Sequence, residues 1–134
     1  MTTTPNLGIT HVEASNADKP AVINAALNAF DAAFCASIVL DLSALDSPYT
    51  GALTLSAAEE NGNLVLIFTG ALPTDCTITL TGNARFFIII NQTTSSPTIN
   101  LIFTVGGGGQ TVSISDNAPH VLYSDGTNKV YQVS

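Results

Sequence analysis

From residue 37 onward, short runs rich in Val, Ile, Phe and Thr recur about every ten residues, with turn-forming residues between them. Such runs are typical of β-strands, because β-branched and aromatic side chains pack well on a pleated surface. The separators, such as Asp125-Gly126, tolerate the positive φ angles that tight turns need. We expect nine strands, at 38–42, 51–55, 64–69, 77–81, 85–91, 98–104, 111–115, 121–124 and 129–133.

A helix is predicted before the strands. Asp18 suits the N-cap, Pro20 suits the first turn, and an Ala-rich stretch continues to residue 36. The spacing of Ile23, Leu27, Phe30 and Phe34 places all four on one face of that helix. Two interpretations of the face are open: it docks on the protein's own sheet, or three copies pack along a molecular axis.

The predicted strands are of two kinds. Residues 77–81 and 111–115 alternate between apolar and Thr or Ser side chains, so each has one wet face. Residues 64–68 and 86–90 are apolar on both faces. Because a two-layer β-sandwich leaves its outer faces in water, the helix or a neighbouring subunit must cover the second face of these strands.

Composition supports an oligomer and excludes two kinds of partner. Only 10% of the residues are charged, against roughly 25% in an average domain, whereas Thr, Ser and Asn number 17, 11 and 11. Three basic residues and a net charge of −7 exclude nucleic-acid binding. Apolar runs of five residues are too short for membrane insertion. Residues 1–17 have no secretory pattern, so we expect assembly in a cytoplasm.

Signals for catalysis are weak. His120, Ser124 and Asp125 include the residue types of a hydrolytic triad, but no G-x-S-x-G elbow is present. The neighbouring Glu59 and Glu60 point in different directions, which favours a solvated loop over a paired acid and base. We therefore predict no enzyme activity.

Signals for cofactors and metals are equally weak. The glycine run 106–109 has no following Lys-Ser or Lys-Thr and no helix to bind phosphate, so a hairpin tip or a close backbone approach is expected. Asp116, Asn117 and Asp125 offer too few oxygens for calcium. Cys35 and Cys76 lack the partners of a zinc site and are predicted to be reduced packing residues. No cofactor and no metal are expected.

Several short motifs resemble the small β-rich modules of bacteriophage tail-fibre and other virion proteins. A lead-in at Leu7-Gly8-Ile9 and residues 24–31 is similar to the helical segment that often precedes such modules. The motifs of the module itself are Leu53-Thr54-Leu55, Asn63 leading to Thr69-Gly70-Ala71-Leu72, Thr77-Ile78-Thr79-Leu80, Phe86 leading to Asn91-Gln92-Thr93, the glycine run 106–109, and Ser124-Asp125-Gly126-Thr127-Asn128.

The resemblance implies a homotrimer with the helix on the three-fold axis and the β-module as a head or joint. Typical fibres also carry long repeats or a β-helical shaft, which this chain lacks. The fold class expected is mainly β, with an N-terminal α-helix followed by an antiparallel, jelly-roll-like β-sandwich head. Residues 1–17 form an extended anchor to other virion proteins, residues 18–36 the trimerisation helix, and residues 37–134 the head.

The function expected is that of a virion structural protein, either a short tail fibre or a fibre tip that attaches to the host. A capsid decoration protein and a carbohydrate-binding module are the alternatives. The trimer interface is predicted at Ile23, Leu27, Phe30 and Phe34. Loops bearing Tyr49, Asn83, Asn117 and Asn128 are candidate contacts with a host glycan or protein, because amide and aromatic side chains suit such ligands.

Overall fold

The structure is a computed structural model that describes residues 19–44, 50–94, 100–106 and 109–134. The described part is mainly β, as predicted. Its elements are α1 (Lys19–Cys35), β1 (Ser37–Asp41), a 3-10 turn (Leu42–Ala44), β2 (Ala52–Thr54), α2 (Ala57–Asn61), β3 (Val65–Ala71), β4 (Cys76–Thr79), β5 (Ala84–Thr94), β6 (Leu101–Thr104), β7 (Val112–Ile114), β8 (His120–Asp125) and β9 (Val130–Gln132). Each of the nine predicted strands overlaps an observed one.

The strands form two sheets, and the chain alternates between them. The five-stranded sheet has the order β1-β3-β5-β8-β9, and the four-stranded sheet has the order β2-β4-β6-β7. From β1 to β6 each strand returns to its sheet parallel to the strand before last. Leu53, Ile78 and Phe103 therefore share one position of the ladder at intervals of 25 residues. The chain from β1 to β6 therefore makes three helical turns, and each turn contributes one strand to each sheet.

The prediction of an antiparallel, jelly-roll-like head is wrong, because both sheets are mixed. Antiparallel pairing is confined to the later strands: β7 pairs with β6, β8 with β5, and β9 with β8. Parallel strands need long crossovers, and here each crossover is the intervening strand of the other sheet with its flanking turns. From β1 to β6 the chain thus winds helically between the two sheets, although no β-helical shaft was expected from the sequence.

One hydrophobic core lies between the sheets. Residues pointing inward from the five-stranded sheet include Leu66, Phe68 and Phe87, which are fully buried. They belong to the same cluster as Ile78 and Phe103 of the four-stranded sheet. Phe68 and Phe103 meet edge to face, with their ring centres 5.7 Å apart. The two sheets are therefore held together by close apolar packing.

A short helix, α2, occupies the place where a solvated loop was predicted. Ser56 is its N-cap and accepts a hydrogen bond from the Glu59 N–H at 3.2 Å, while the Glu59 carboxylate accepts one from the Ser56 N–H at 2.7 Å. This reciprocal pair is a capping box. The helix rotates Glu60 inward, and Glu60 is fully buried.

Helix α1 packs little against the two sheets. A single residue, Ala36, separates it from β1. Of the α1 residues whose side chains are described, Ala33 in the last turn is the buried one. Most of the helix surface is consequently exposed along its length. None of the described helices is long and apolar enough to cross a membrane.

Candidate interaction surface

The four residues predicted as a trimer interface lie on one face of α1 and are exposed. Leu27 is the most accessible of them, at 61%. Phe30 and Phe34 pack on each other with ring centres 4.7 Å apart. We call Ile23, Leu27, Phe30 and Phe34 the helix stripe. The helix stripe does not dock on the protein's own sheet, since all four side chains remain about half exposed or more.

A hollow of about 220 Å³ lies where the last turn of α1 approaches the five-stranded sheet. Ala33 and Phe34 of the helix line one side, and Leu64, Arg85 and Phe86 line the other. Phe86 is 54% exposed and points outward from β5. The hollow therefore brings the end of the helix stripe next to the outer surface of the five-stranded sheet.

The central part of that outer surface is apolar. Strand alternation and register place three adjacent rows of mostly apolar side chains there, next to a polar row of Asp41, Thr69 and Gln92. We call the apolar members of these rows the apolar sheet face: Val39, Ile67 and Ile90; Val65, Ile88 and Val121; Phe86, Tyr123 and Tyr131. Ser37 is the polar residue among the three rows, and Val39 is 61% exposed.

Three aromatic residues form one row of the apolar sheet face. Phe86 lies opposite Tyr123, and Tyr123 lies opposite Tyr131. The ring centres are 5.0 Å apart in the first pair and 6.2 Å apart in the second. Contacts of this kind between cross-strand aromatic residues stabilise a sheet. This row was not predicted from the sequence, because the three residues lie on three different strands.

The outer surface of the four-stranded sheet is different. Its two rows, which we call the polar sheet face, are Ala52, Thr77, Ile102 and Ser113, followed by Thr54, Thr79 and Thr104. Hydroxyl groups dominate these rows, as the alternation of 77–81 and 111–115 predicted. The two sheets of one molecule therefore present water with two different surfaces.

The three candidate loop contacts that the structure describes, Asn83, Asn117 and Asn128, do not form one site. Asn83 and Asn128 lie at the same end of β8, where a Cβ on Gly126 would stand 2.9 Å from the Asn83 carbonyl carbon. The Asn83 amide donates to Asn61 Oδ1 and to Thr81 Oγ1, each at 3.2 Å. Asn117 is exposed at the opposite end of β8. Tyr49 and the anchor at 1–17 lie outside the described residues.

A buried polar cluster under α2 was also not predicted from the sequence. Glu60 Oε2 accepts a hydrogen bond from the Thr81 N–H, and Arg85 donates to the carbonyl oxygens of Glu60 and Asn63. Burial raises the pKa of Glu60 and lowers the pKa of Arg85. Arg85 also lies over the Phe87 ring, 4.9 Å from its centre. The Ser56-x-x-Glu59 pattern was the available sequence signal for the helix that buries Glu60.

Glu60 Oε1 and Arg85 Nε are buried without a hydrogen-bond partner among the described residues. Both belong to side chains whose other polar atoms connect α2 to β5 and to the loop before it. The cluster therefore joins the end of the five-stranded sheet to α2.

The triad residue types do not assemble. His120 Nε2 lies 2.7 Å from Asp116 Oδ1, not beside Asp125, and His120 Nδ1 lies 3.0 Å from Gln132 Nε2. Ser124 is buried and accepts a hydrogen bond from the Gly126 N–H. The hydrogen bond from His120 lowers the pKa of Asp116.

The possible calcium ligands are also separated. Asp116 and Asn117 precede β8, whereas Asp125 ends it and accepts three backbone hydrogen bonds from residues 127–129. Among the described residues, no group of three or more His, Cys, Asp or Glu is placed to hold a metal ion.

Gly109, one of the two described residues of the glycine run, makes a close backbone approach. A Cβ on Gly109 would stand 1.7 Å from the Asn128 carbonyl oxygen, so only glycine fits there. This contact confirms one of the two explanations proposed for the run.

Comparison of the chain with protein-family models, with curated proteins and with solved structures gives no match.

Proposed function

We propose that this chain is a homotrimeric structural protein of a bacteriophage virion, a short tail fibre or fibre tip that serves in attachment. The observation that carries the proposal is the exposed helix stripe on a helix that packs little against the two sheets. The virion assignment itself comes from the motif resemblance. Self-association gives the helix stripe the apolar partner that its own chain does not supply.

Energetics favour burial of the helix stripe between subunits. Complete burial of a Leu, Ile or Phe side chain contributes about 1.5–3 kcal/mol. Each of the four is about half exposed in the single chain, so burial of its exposed part in three chains opposes the loss of rotational and translational freedom on association. The 4-3-4 spacing suits helices that pack nearly parallel around an axis.

In this proposal the two sheets and their shared core form the sandwich-like head. Residues 1–17 anchor the trimer to other virion proteins. Asn117 and Asn128 are exposed at opposite ends of β8 and are available for contact with a host glycan or protein. No catalytic step, cofactor or nucleic-acid contact is assigned to the protein.

Sedimentation velocity on the purified chain tests the trimer. The wild type should sediment as a trimer at micromolar concentration, and Leu27→Asp should sediment as a monomer, because a carboxylate is costly in an apolar seam. Asn28→Asp is the matched control, since Asn28 is exposed and lies outside the helix stripe, about 100° around the axis of α1 from Leu27. A monomeric wild type, or a trimeric Leu27→Asp, would contradict the proposed interface.

Immunogold electron microscopy of phage particles that carry the protein tests its location. Label at the tail tip or fibres, together with slower adsorption when free protein is added, supports the attachment role. Label on the shell with unchanged adsorption identifies a capsid decoration protein instead. Unlabelled particles and a monomer that binds glycans saturably would replace the proposal with a carbohydrate-binding module.

A further inference from the structure

We propose that a second copy of this chain covers the apolar sheet face, so that the subunit contact continues from the helix stripe onto the five-stranded sheet. This inference rests on the self-association in the proposed function and adds a second contact region. It identifies the partner as the same chain and the contact as apolar.

The chemistry of the face favours a protein surface over a polar ligand. Six of its nine residues are Val or Ile, and the remaining three are aromatic. Within the three rows the polar groups are the Ser37 hydroxyl and those of the two tyrosines. Aliphatic side chains on a sheet gain from close packing against other apolar side chains, whereas a glycan would need several hydrogen-bonding groups.

Continuity with the helix stripe identifies the partner as another copy. Phe34, the last residue of the helix stripe, and Phe86, a member of the apolar sheet face, line the same hollow. Contact between copies at the helix stripe would therefore bring the next protomer to the edge of the apolar sheet face. A second apolar region adjoining the first extends one interface more simply than it serves a different partner.

Charge placement permits this contact between identical acidic chains. Each copy carries a net charge of −7, which favours separation of like copies. None of the nine residues in the apolar sheet face is charged. Asp41 and Asp125 lie at opposite ends of the strands that form it. Two copies can therefore meet at the centre of this face without placing carboxylates against each other.

Paired charge insertions provide the first test. Val39→Asp places a carboxylate on the edge strand of the five-stranded sheet, and Thr54→Asp places one on the edge strand of the four-stranded sheet. Both native side chains are exposed, so neither change disturbs the core. Val39→Asp should raise the protein concentration at which the trimer half-dissociates by about tenfold or more, and Thr54→Asp should leave it unchanged.

A fluorescent reporter provides the second test. The chain has no Trp, so Phe86→Trp and Thr54→Trp each introduce a single reporter. In the trimer, Phe86→Trp should be protected from acrylamide quenching and should lose that protection on dilution to monomer. Thr54→Trp should be quenched equally in both states.

The outcomes separate this inference from the proposed function. A wild-type trimer with a protected Phe86→Trp and a weakened Val39→Asp supports both. A wild-type trimer in which Val39→Asp associates normally and Phe86→Trp is quenched like Thr54→Trp overturns the sheet contact and leaves the helix contact standing. A wild-type monomer overturns both.

Discussion

The outer surfaces of the two sheets differ in a way that the core between the sheets does not require. The apolar sheet face consists of Val, Ile, Phe and Tyr, whereas five of the seven residues on the polar sheet face are Thr or Ser. Both surfaces alternate with inward side chains that belong to the same buried cluster. The core therefore explains the inward residues of both sheets and neither outward surface.

This difference in side chains indicates that only the polar sheet face is suited to remain exposed to solvent. Threonine keeps the β-branched shape that suits a strand and adds a hydroxyl that bonds to solvent, so the polar sheet face needs no partner. Adjacent rows of apolar side chains are unfavourable in contact with water and are stabilised by burial. A chain with 10% charged residues has few other means of keeping such a face soluble.

The largest expected effect comes from the core that both surfaces share. Phe68→Ala and Phe103→Ala should each lower the free energy of unfolding by about 3–5 kcal/mol, because each removes a fully buried ring. Since the rings touch, the double variant should lose less than the sum of the two single losses. Urea unfolding at one fixed protein concentration measures this. Losses below about 1.5 kcal/mol would contradict a close-packed core between the sheets.

A second prediction concerns the buried carboxylate of Glu60, which lies beneath α2 and not on either outer sheet surface. Glu60→Ala should lower the free energy of unfolding by about 1–3 kcal/mol at pH 7, because the half-buried Thr81 N–H loses its acceptor. Glu60→Gln keeps an acceptor oxygen and removes a charge that burial disfavours, so it should unfold no more easily than the wild type.

The pH dependence of the same residue has a defined sign. Because the folded pKa of Glu60 is raised above 4.5, its ionisation opposes folding, and acidification from neutral pH toward 4.5 should stabilise the wild type. Glu60→Gln should lack this gain. Asp116 and Asp125 have lowered pKa values, so their contribution is lost only as the pH falls below 3.8. Equal pH slopes for wild type and Glu60→Gln would contradict the assignment.

Exchange of side chains between the two surfaces tests the comparison directly. Ile67→Thr lies on an inner strand of the apolar sheet face and Thr79→Val on an inner strand of the polar sheet face. Ile67→Thr should cost about 1 kcal/mol in unfolding and weaken the trimer, whereas Thr79→Val should change either quantity little. Thermal unfolding and sedimentation measure the two effects. The comparison fails if both variants shift the trimer equally.

The smallest effect is expected at the turn that aligns β8 with β9. Asp125 Oδ1 accepts hydrogen bonds from the N–H groups of Thr127, Asn128 and Lys129 at 2.8–3.0 Å. Asp125→Ala should speed amide exchange at these three residues and slightly lower the melting temperature, while Asp125→Asn, which retains an oxygen acceptor, should exchange more slowly than Asp125→Ala. Unchanged exchange in both variants would show that the turn does not depend on this side chain.

Strand positions were predictable because their causes are local. β-branched and aromatic runs mark the strands, and Asp125-Gly126 marks the turn between β8 and β9, where Gly126 has a φ of +74°. The wet face of β4 and β7 followed from simple alternation. The runs at 64–68 and 86–90 predicted an outer surface that needs cover, and they overlap β3 and β5, which together contribute five of the nine residues of the apolar sheet face.

The direction of pairing was not predictable in the same way. Near-continuous apolar runs are typical of parallel strands, yet the same runs also suit an antiparallel sheet covered by a subunit. The burial of Glu60 was missed for a related reason. Adjacent carboxylates indicate a loop unless the capping box before them is recognised, and that motif rotates one carboxylate inward.

The sequence by itself determined where the strands lie, which strands are apolar on both faces, and that four apolar residues share one face of α1. These properties depend on neighbours within a few residues. Only the tertiary structure decided that the chain coils between two sheets, that Phe86, Tyr123 and Tyr131 form one row, and that this row adjoins the helix stripe through a shared hollow. Such relations join residues that are far apart in the chain, and no local pattern encodes which distant strands become neighbours.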